Sequence, residues 1–210
     1  MIAVVDYGIG NLHSAHKALM RVGADARLSD DPALIADAAG VVLPGVGAFG
    51  ACMDALRRRN LEAPVLGAAA SGRPFLGICV GMQMLFSGSE ESPGVAGLGV
   101  LPGIVRWIPG DVKRPQMQWN TVDVAVVDPL FAGLGPQPWF YFVHSLHGVP
   151  DDPEVVTATC DYGGTVNAAF RAGSVAAVQF HPEKSATAGL ALLRNFVAEV
   201  RQTTAAATQL

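Results

Sequence analysis

The sequence predicts an α/β fold: a central, mostly parallel sheet with helices on both faces and antiparallel additions in the second half. Three observations carry this. The first half alternates short apolar runs with stretches at helical spacing. The second half strings strand-like runs together with turn residues between them. The chain has 210 residues, half of them hydrophobic and only 15% charged, which suits one well-buried domain. That domain is expected over residues 1–202, with 203–210 a disordered tail.

IAVVDY, Ile2 to Tyr7, reads as a buried strand, and NLHSAHKALMRVG as a helix with Gly23 just past its end. GVVLPG is another strand ending in a Gly/Pro loop, and AFGACMDALRRRN a second helix. PFLGIC is a third strand running into GMQMLFSG. GVLPGIVRWI, TVDVAVV, WFYFVHS, VVTATCDY, VNAAFRAG and SVAAVQF then read as strands, expected as additions to one end of the same sheet. A last helix covers about Ala186 to Arg201, and TTAAATQL follows as a frayed tail.

Bulk properties exclude several function classes. A net charge of −4 leaves no basic footprint for nucleic acid. Three widely spaced cysteines, Cys52, Cys79 and Cys160, make neither a disulfide framework nor a zinc knuckle, as expected in a reducing compartment. MIAVVDYGIG lacks the basic start of a secretory signal, and the apolar stretches are too broken to span a membrane. A cytoplasmic location follows as an expectation.

GICVG, Gly77 to Gly81, is the thiol counterpart of a nucleophile elbow. A tight strand-to-helix turn forces Cys79 into a strained backbone, and its neighbours must be glycine to avoid clashes. The sulfur then projects at the carboxyl end of the sheet, where the start of the next helix favours thiolate. The alternative is a small buried core cysteine. A partner base decides between them. His13/His16 and His144/His147 have His-x-x-His spacing, but no acid or thiol cluster completes a metal shell, so no metal is expected. His181 lies in VQFHPEKS directly after a strand, with Glu183 two residues on. In extended chain the two side chains share a side, so the carboxylate can orient the ring. A plain turn with a solvated acid is the competing reading.

An oxyanion site needs two preorganised donors. Val80, next after Cys79, offers one backbone N–H. The loop LPGVGAFG, containing Gly45, Val46 and Gly47, follows the neighbouring strand and can offer the other. A plain turn or a phosphate cradle are the alternatives, though no Lys-Ser/Thr follows as in a P-loop.

PGVGAFG, FLGICVGMQMLF and VQFHPEKS, in that order, resemble the class I, triad-type glutamine amidotransferases. With DYGIGNLHS and YFVHSLH added, the chain is most similar to the glutaminase subunits of imidazole glycerol phosphate synthases, from about Ile2 to Val200. The resemblance implies a flavodoxin-like fold with catalytic Cys79, His181 and Glu183 at the carboxyl ends of the central strands. It also implies oxyanion donors at Val46 and Val80, and a substrate site at Gly45, Gly47, Gln83, Ser145 and Leu146. The implied substrate is glutamine, with no cofactor. The implied partner is a (βα)8-barrel cyclase, forming a heterodimer through Asn11, Trp119, Tyr141 and Lys184. Ammonia would pass to that partner for synthesis of imidazole glycerol phosphate and an aminoimidazole carboxamide ribotide. For Trp119, a core position is the alternative to a docking anchor. The sequence departs from the family pattern in PQMQWN, where Gln116 and Gln118 stand for His and Gly, and at Leu146, where a tyrosine is usual. Rival readings are the glutaminase of an anthranilate or pyridoxal phosphate synthase, a non-catalytic partner-binding subunit, and a cysteine hydrolase of peptides.

Overall fold

A computed structural model describes residues 1–208. The first half runs β1 (Ile2–Val5), α1 (Leu12–Arg21), β2 (Ala26–Ser29), α2 (Pro32–Asp37), β3 (Gly40–Gly45), α3 (Phe49–Arg58), α4 (Glu62–Ala70), β4 (Phe75–Cys79). It continues through α5 (Val80–Gln83), β5 (Phe86–Ser89), β6 (Leu101–Trp107), β7 (Gln116–Thr121), β8 (Asp123–Val124), β9 (Trp139–His144) and β10 (Leu146–Pro150). The chain closes with β11 (Val156–Asp161), β12 (Thr165–Ala172), β13 (Val175–Val178) and α6 (Ala186–Thr208).

The main sheet has eight strands in the order β2-β1-β3-β4-β13-β12-β11-β8. Its first five are parallel; β12, β11 and β8 add on antiparallel, as expected. β1, β3, β4 and β13 are buried at every residue. Helices cover both faces of such strands, which is why they read as unbroken apolar runs. Gly23 takes φ +83 after α1, and the N–H of Ala24 bonds back to the Leu19 carbonyl. A glycine suits this left-handed closure of the helix.

Several of these expectations need correction. GVLPGIVRWI and WFYFVHS do not join the main sheet; β6 builds a separate three-stranded sheet with β5 and β10, and β9 stands in a two-stranded ribbon. TVDVAVV contributes only the two residues of β8, because Val126 and Val127 face outward. PQMQWN supplies the other strand of that ribbon, β7 pairing antiparallel with β9. The last helix also passes the expected end at Arg201, so residues 203–208 of the expected tail are helical. Ala205, Ala206 and Ala207 favour that extension, alanine being the strongest helix former. Residues 209 and 210 of that tail lie outside the described residues.

The ribbon positions the site. β9 alternates, with Phe140 and Phe142 buried and Tyr141 and Val143 half-exposed. Phe140 stacks on Phe180 at 3.9 Å between centroids, and Phe142 meets the same ring edge-on at 5.6 Å. Aromatic pairs of this kind contribute about 0.5–1.5 kcal/mol beyond their buried area. They seat the segment after β13, which carries His181, against the ribbon. Among the described residues, no helix is long and apolar enough to cross a membrane.

Candidate active site

The carboxyl ends of β3, β4 and β13 converge, with Gly45 paired to Cys79 and Val178 to Ile78. Cys79 has φ +55 and ψ −116, a region that residues with a Cβ rarely enter. Its flanks explain how the turn forms. A Cβ on Gly81 would lie 1.9 Å from the Leu43 carbonyl oxygen, and one on Gly77 only 2.9 Å from Leu85. The helix after the turn is a single turn, Val80–Gln83, shorter than expected. Its dipole is a minor influence on the sulfur, because the effect grows from aligned peptides.

His181 stands just ahead of a 3₁₀ turn, Pro182–Lys184, so the chain there is not extended as the residue spacing had suggested. Glu183 nevertheless reaches the ring: its Oε1 lies 2.8 Å from Nδ1, with both side chains almost fully buried. The ring's backbone is fixed from β9, the His181 N–H donating to the Tyr141 carbonyl at 2.9 Å. Ser185 completes the joint, accepting from Tyr141 N–H at 2.9 Å and donating to the His181 carbonyl at 2.6 Å.

Burial works against the charged form of His181, but the neighbouring Cys79 and Glu183 outweigh it and raise the ring to about 10. Nε2 makes no hydrogen bond of good geometry among the described residues. Cys79 and His181 both line one cavity.

That cavity encloses about 240 Å³ and is lined by Cys79 and His181 together with Val46, Gly47, Val80, Gln83, Ser145 and Leu146. Sequence reasoning missed four further wall residues, Glu91, Pro115, Val143 and His144. Period-two alternation in WFYFVH does turn His144 inward with Phe140 and Phe142, so its signal was present. Glu91 gave none, since it comes from a polar loop and reaches α3 only in the fold, accepting from Phe49 N–H at 2.7 Å. Gly45 was expected on the wall but packs behind it, where a Cβ would be 2.5 Å from Gly81 N.

A hydrogen-bonded chain with fixed polarity leads to the sulfur. The Leu146 carbonyl accepts from His144 Nδ1 at 2.7 Å and from Gln83 Nε2 at 3.2 Å. Gln83 Nε2 also donates to Gln179 Oε1 at 3.1 Å, which turns the Gln179 amide nitrogen toward Cys79 Sγ at 3.8 Å. Burial presses His144 down to about 4, so its ring is neutral at physiological pH. Gln116, one of the departures from the family pattern, is fully buried and meets the other nitrogen of that ring at 2.8 Å.

Of the expected docking residues, Trp119 is 44% exposed, which rules out a core position. Tyr141 meets its ring edge-on at 6.1 Å, and Lys184 Nζ lies 5.8 Å from the Tyr141 centroid. Asn11 stands just before α1 without a side-chain capping hydrogen bond, and α1 packs against the turn holding Lys184.

A strained thiol, a carboxylate-bound imidazole and a small cavity on a parallel sheet define a class: enzymes that cleave an amide through sulfur. The chain belongs to the class-I glutamine amidotransferase family, whose model matches residues 3–200. The imidazole glycerol phosphate synthase subunit HisH of Synechococcus elongatus is 54% identical over 204 residues, 95% of this chain and 93% of that protein. The same subunit from Syntrophotalea carbinolica is 49% identical over 203 residues, 93% of this chain and 98% of that one. Within the amidotransferases, the chain is thus of the HisH type. Solved structures agree on the fold. A glutamine amidotransferase crystal structure has a TM-score of 0.76 at 22% identity, covering 96% of this chain and all of that one. PurLQS from Thermotoga maritima has 0.69 at 19%, with 96% and 97% covered.

Proposed function

We propose that this protein is the glutaminase subunit of an imidazole glycerol phosphate synthase, with Cys79 as nucleophile, His181 as proton carrier and Glu183 as its orienter. Cys79 Sγ forms a bond to the side-chain amide carbon of glutamine, and the carbonyl oxygen takes up negative charge. N–H groups of Val80 and the loop at Val46 and Gly47 stabilise that oxygen. His181 gives its proton to the departing nitrogen as the C–N bond breaks, releasing ammonia. Water then cleaves the γ-glutamyl thioester, giving glutamate and the free thiol.

The cavity supports glutamine as the occupant. Its volume lies below the roughly 300–1,000 Å³ of pockets for drug-sized ligands, in keeping with a small amide. The Glu91 carboxylate on its wall suits an α-ammonium group, and Gln83, whose amide protons are both engaged, offers its carbonyl oxygen. The partner is a barrel-shaped cyclase docked on the face of Asn11, Trp119, Tyr141 and Lys184, which takes the ammonia without release to solution.

The observation that carries this reading is that the elbow thiol and His181, whose Nδ1 lies 2.8 Å from Glu183 Oε1, line one cavity. Glutamate release is the test, measured on the subunit with cyclase and its nucleotide. Cys79→Ser is expected to lose activity by on the order of 10⁴-fold while remaining folded. Activity retained in that variant, or equal turnover of peptides, contradicts the proposal.

A further inference from the structure

Gln179, the residue after β13, is fully buried and does not line the cavity. Its backbone N–H donates to the Ala168 carbonyl at 2.9 Å, extending the pairing of β13 with β12, so the side chain leaves a fixed strand end. Its amide lies behind the reacting atom, with Nε2 3.8 Å from Cys79 Sγ.

The direction of that amide is not free. A carbonyl oxygen only accepts, so the Gln83 atom 3.2 Å from the Leu146 carbonyl is nitrogen. The same nitrogen lies 3.1 Å from the Gln179 amide, which must present its oxygen there. The Gln179 nitrogen is left facing the sulfur. Turned over, the amide would set N–H against N–H and a carbonyl oxygen against sulfur, both buried.

The other polar groups around Cys79 do not duplicate this donor. Tyr7 and Cys52 are held protonated by burial and couple to Cys79, but their protons go to the Pro44 and Val46 carbonyls. His144 is neutral, and Glu91 brings a carboxylate to the same cavity. His181, oriented by Glu183, supplies the cation. The single turn of α5 adds little.

We propose that Gln179 is a further catalytic residue: its side-chain N–H, aimed by Gln83 and the Leu146 carbonyl, donates to Cys79 Sγ and stabilises the thiolate. Sulfur is negative twice in the cycle. It gives an electron pair to the amide carbon on attack. It takes that pair back when the oxygen of water bonds to the thioester carbon and His181 accepts the water's proton. The N–H faces the sulfur at both points. The catalytic role rests on the hydrolytic reading above, whereas the donor itself can be tested without hydrolysis.

Alkylation of Cys79 by iodoacetamide reports the thiolate, the attacking form of the group. It is followed from about pH 5 to 10 on the Cys79 peptide by mass, in the complete complex with the cyclase and without glutamine. Gln179→Met removes the donor at similar length. The isosteric Gln179→Glu keeps an acceptor for Gln83 but sets a carboxylate against the thiolate. The alkylation rate of the methionine variant is expected to reach half its plateau about one pH unit above wild type. The glutamate variant should need a higher pH still, and both plateaus should stay close to that of wild type. At neutral pH, kcat for glutamine should fall by on the order of 10-fold in each. An unchanged profile in both variants overturns the proposal, as does a rate lowered equally at every pH, which would mark altered packing or access. Should the methionine variant fail to fold, the glutamate variant decides alone. A wild-type complex that releases no glutamate is a different result: it removes the hydrolytic reading, while the alkylation profile still decides whether the donor acts.

Discussion

At His181 two opposing influences can be separated by one substitution. Burial alone would make the ring a weaker base, yet contact with Cys79 and Glu183 carries it to about 10. A histidine raised above its ordinary value of ~6.5 contributes stability that is complete below that pH and lost as pH rises through the folded value. Removing the Glu183 charge while keeping its shape, as Glu183→Gln, should lower both the imidazolium population and the unfolding midpoint near neutrality. The stability gap between wild type and variant is expected to narrow steadily from about pH 6.5 to 10 in urea titrations. A gap that widens over that range would mean the pair is not an ion pair. The same variant should lower kcat by on the order of 10²- to 10⁴-fold, since the ring loses its orienting acceptor.

The elements impose their own limits. The elbow between β4 and α5 closes only because Gly81 lets α5 lie against the Leu43 carbonyl, 1.9 Å from where a Cβ would be. Gly81→Ala is expected to cost about 3 kcal/mol or more, read from chemical unfolding, and a variant of wild-type stability would contradict the close contact. β9 and β10 set the acid limit. Burial lowers both His144 and His147 to about 4, so the unfolded chain binds more protons between that value and ~6.5. Stability should therefore fall as pH drops across that window, where His181 adds no slope. His147→Asn, which keeps an acceptor for Asn167 N–H, should make the fall shallower. A slope that is unchanged would place the acid sensitivity elsewhere. These elements also show what local pattern can reveal. The parallel strands and the elbow were legible because apolar runs and paired glycines are local requirements of the backbone. The β7–β9 ribbon was not, because Met117 and Trp119 turn outward and leave no buried run to read. α4, rich in alanine and without an amphipathic stripe, was missed for a similar reason. Cys79, His181 and Glu183 were readable from motifs, whereas Glu91 joins the cavity only through the packing of a loop on α3. Gly45 looked like a substrate contact and serves instead as the space into which Tyr7 and Gly81 pack.

For the whole molecule, the ribbon joins two tasks. Its outer side exposes Trp119 beside Tyr141, and the Tyr141 backbone holds both His181 and Ser185. Trp119→Ala should weaken cyclase binding by about 2 kcal/mol, near 30-fold, with the isolated fold unchanged, as titration calorimetry can check. Unaltered affinity would move the docking face elsewhere. The hydrolytic reading requires a covalent intermediate at one sulfur. The most direct measurement is acid quenching of the glutamine-turning complex, followed by peptide mass analysis. The expected result is a γ-glutamyl thioester on the Cys79 peptide, absent in Cys79→Ser. Glutamate formed with no adduct there, or an adduct on Cys52 or Cys160, would contradict it.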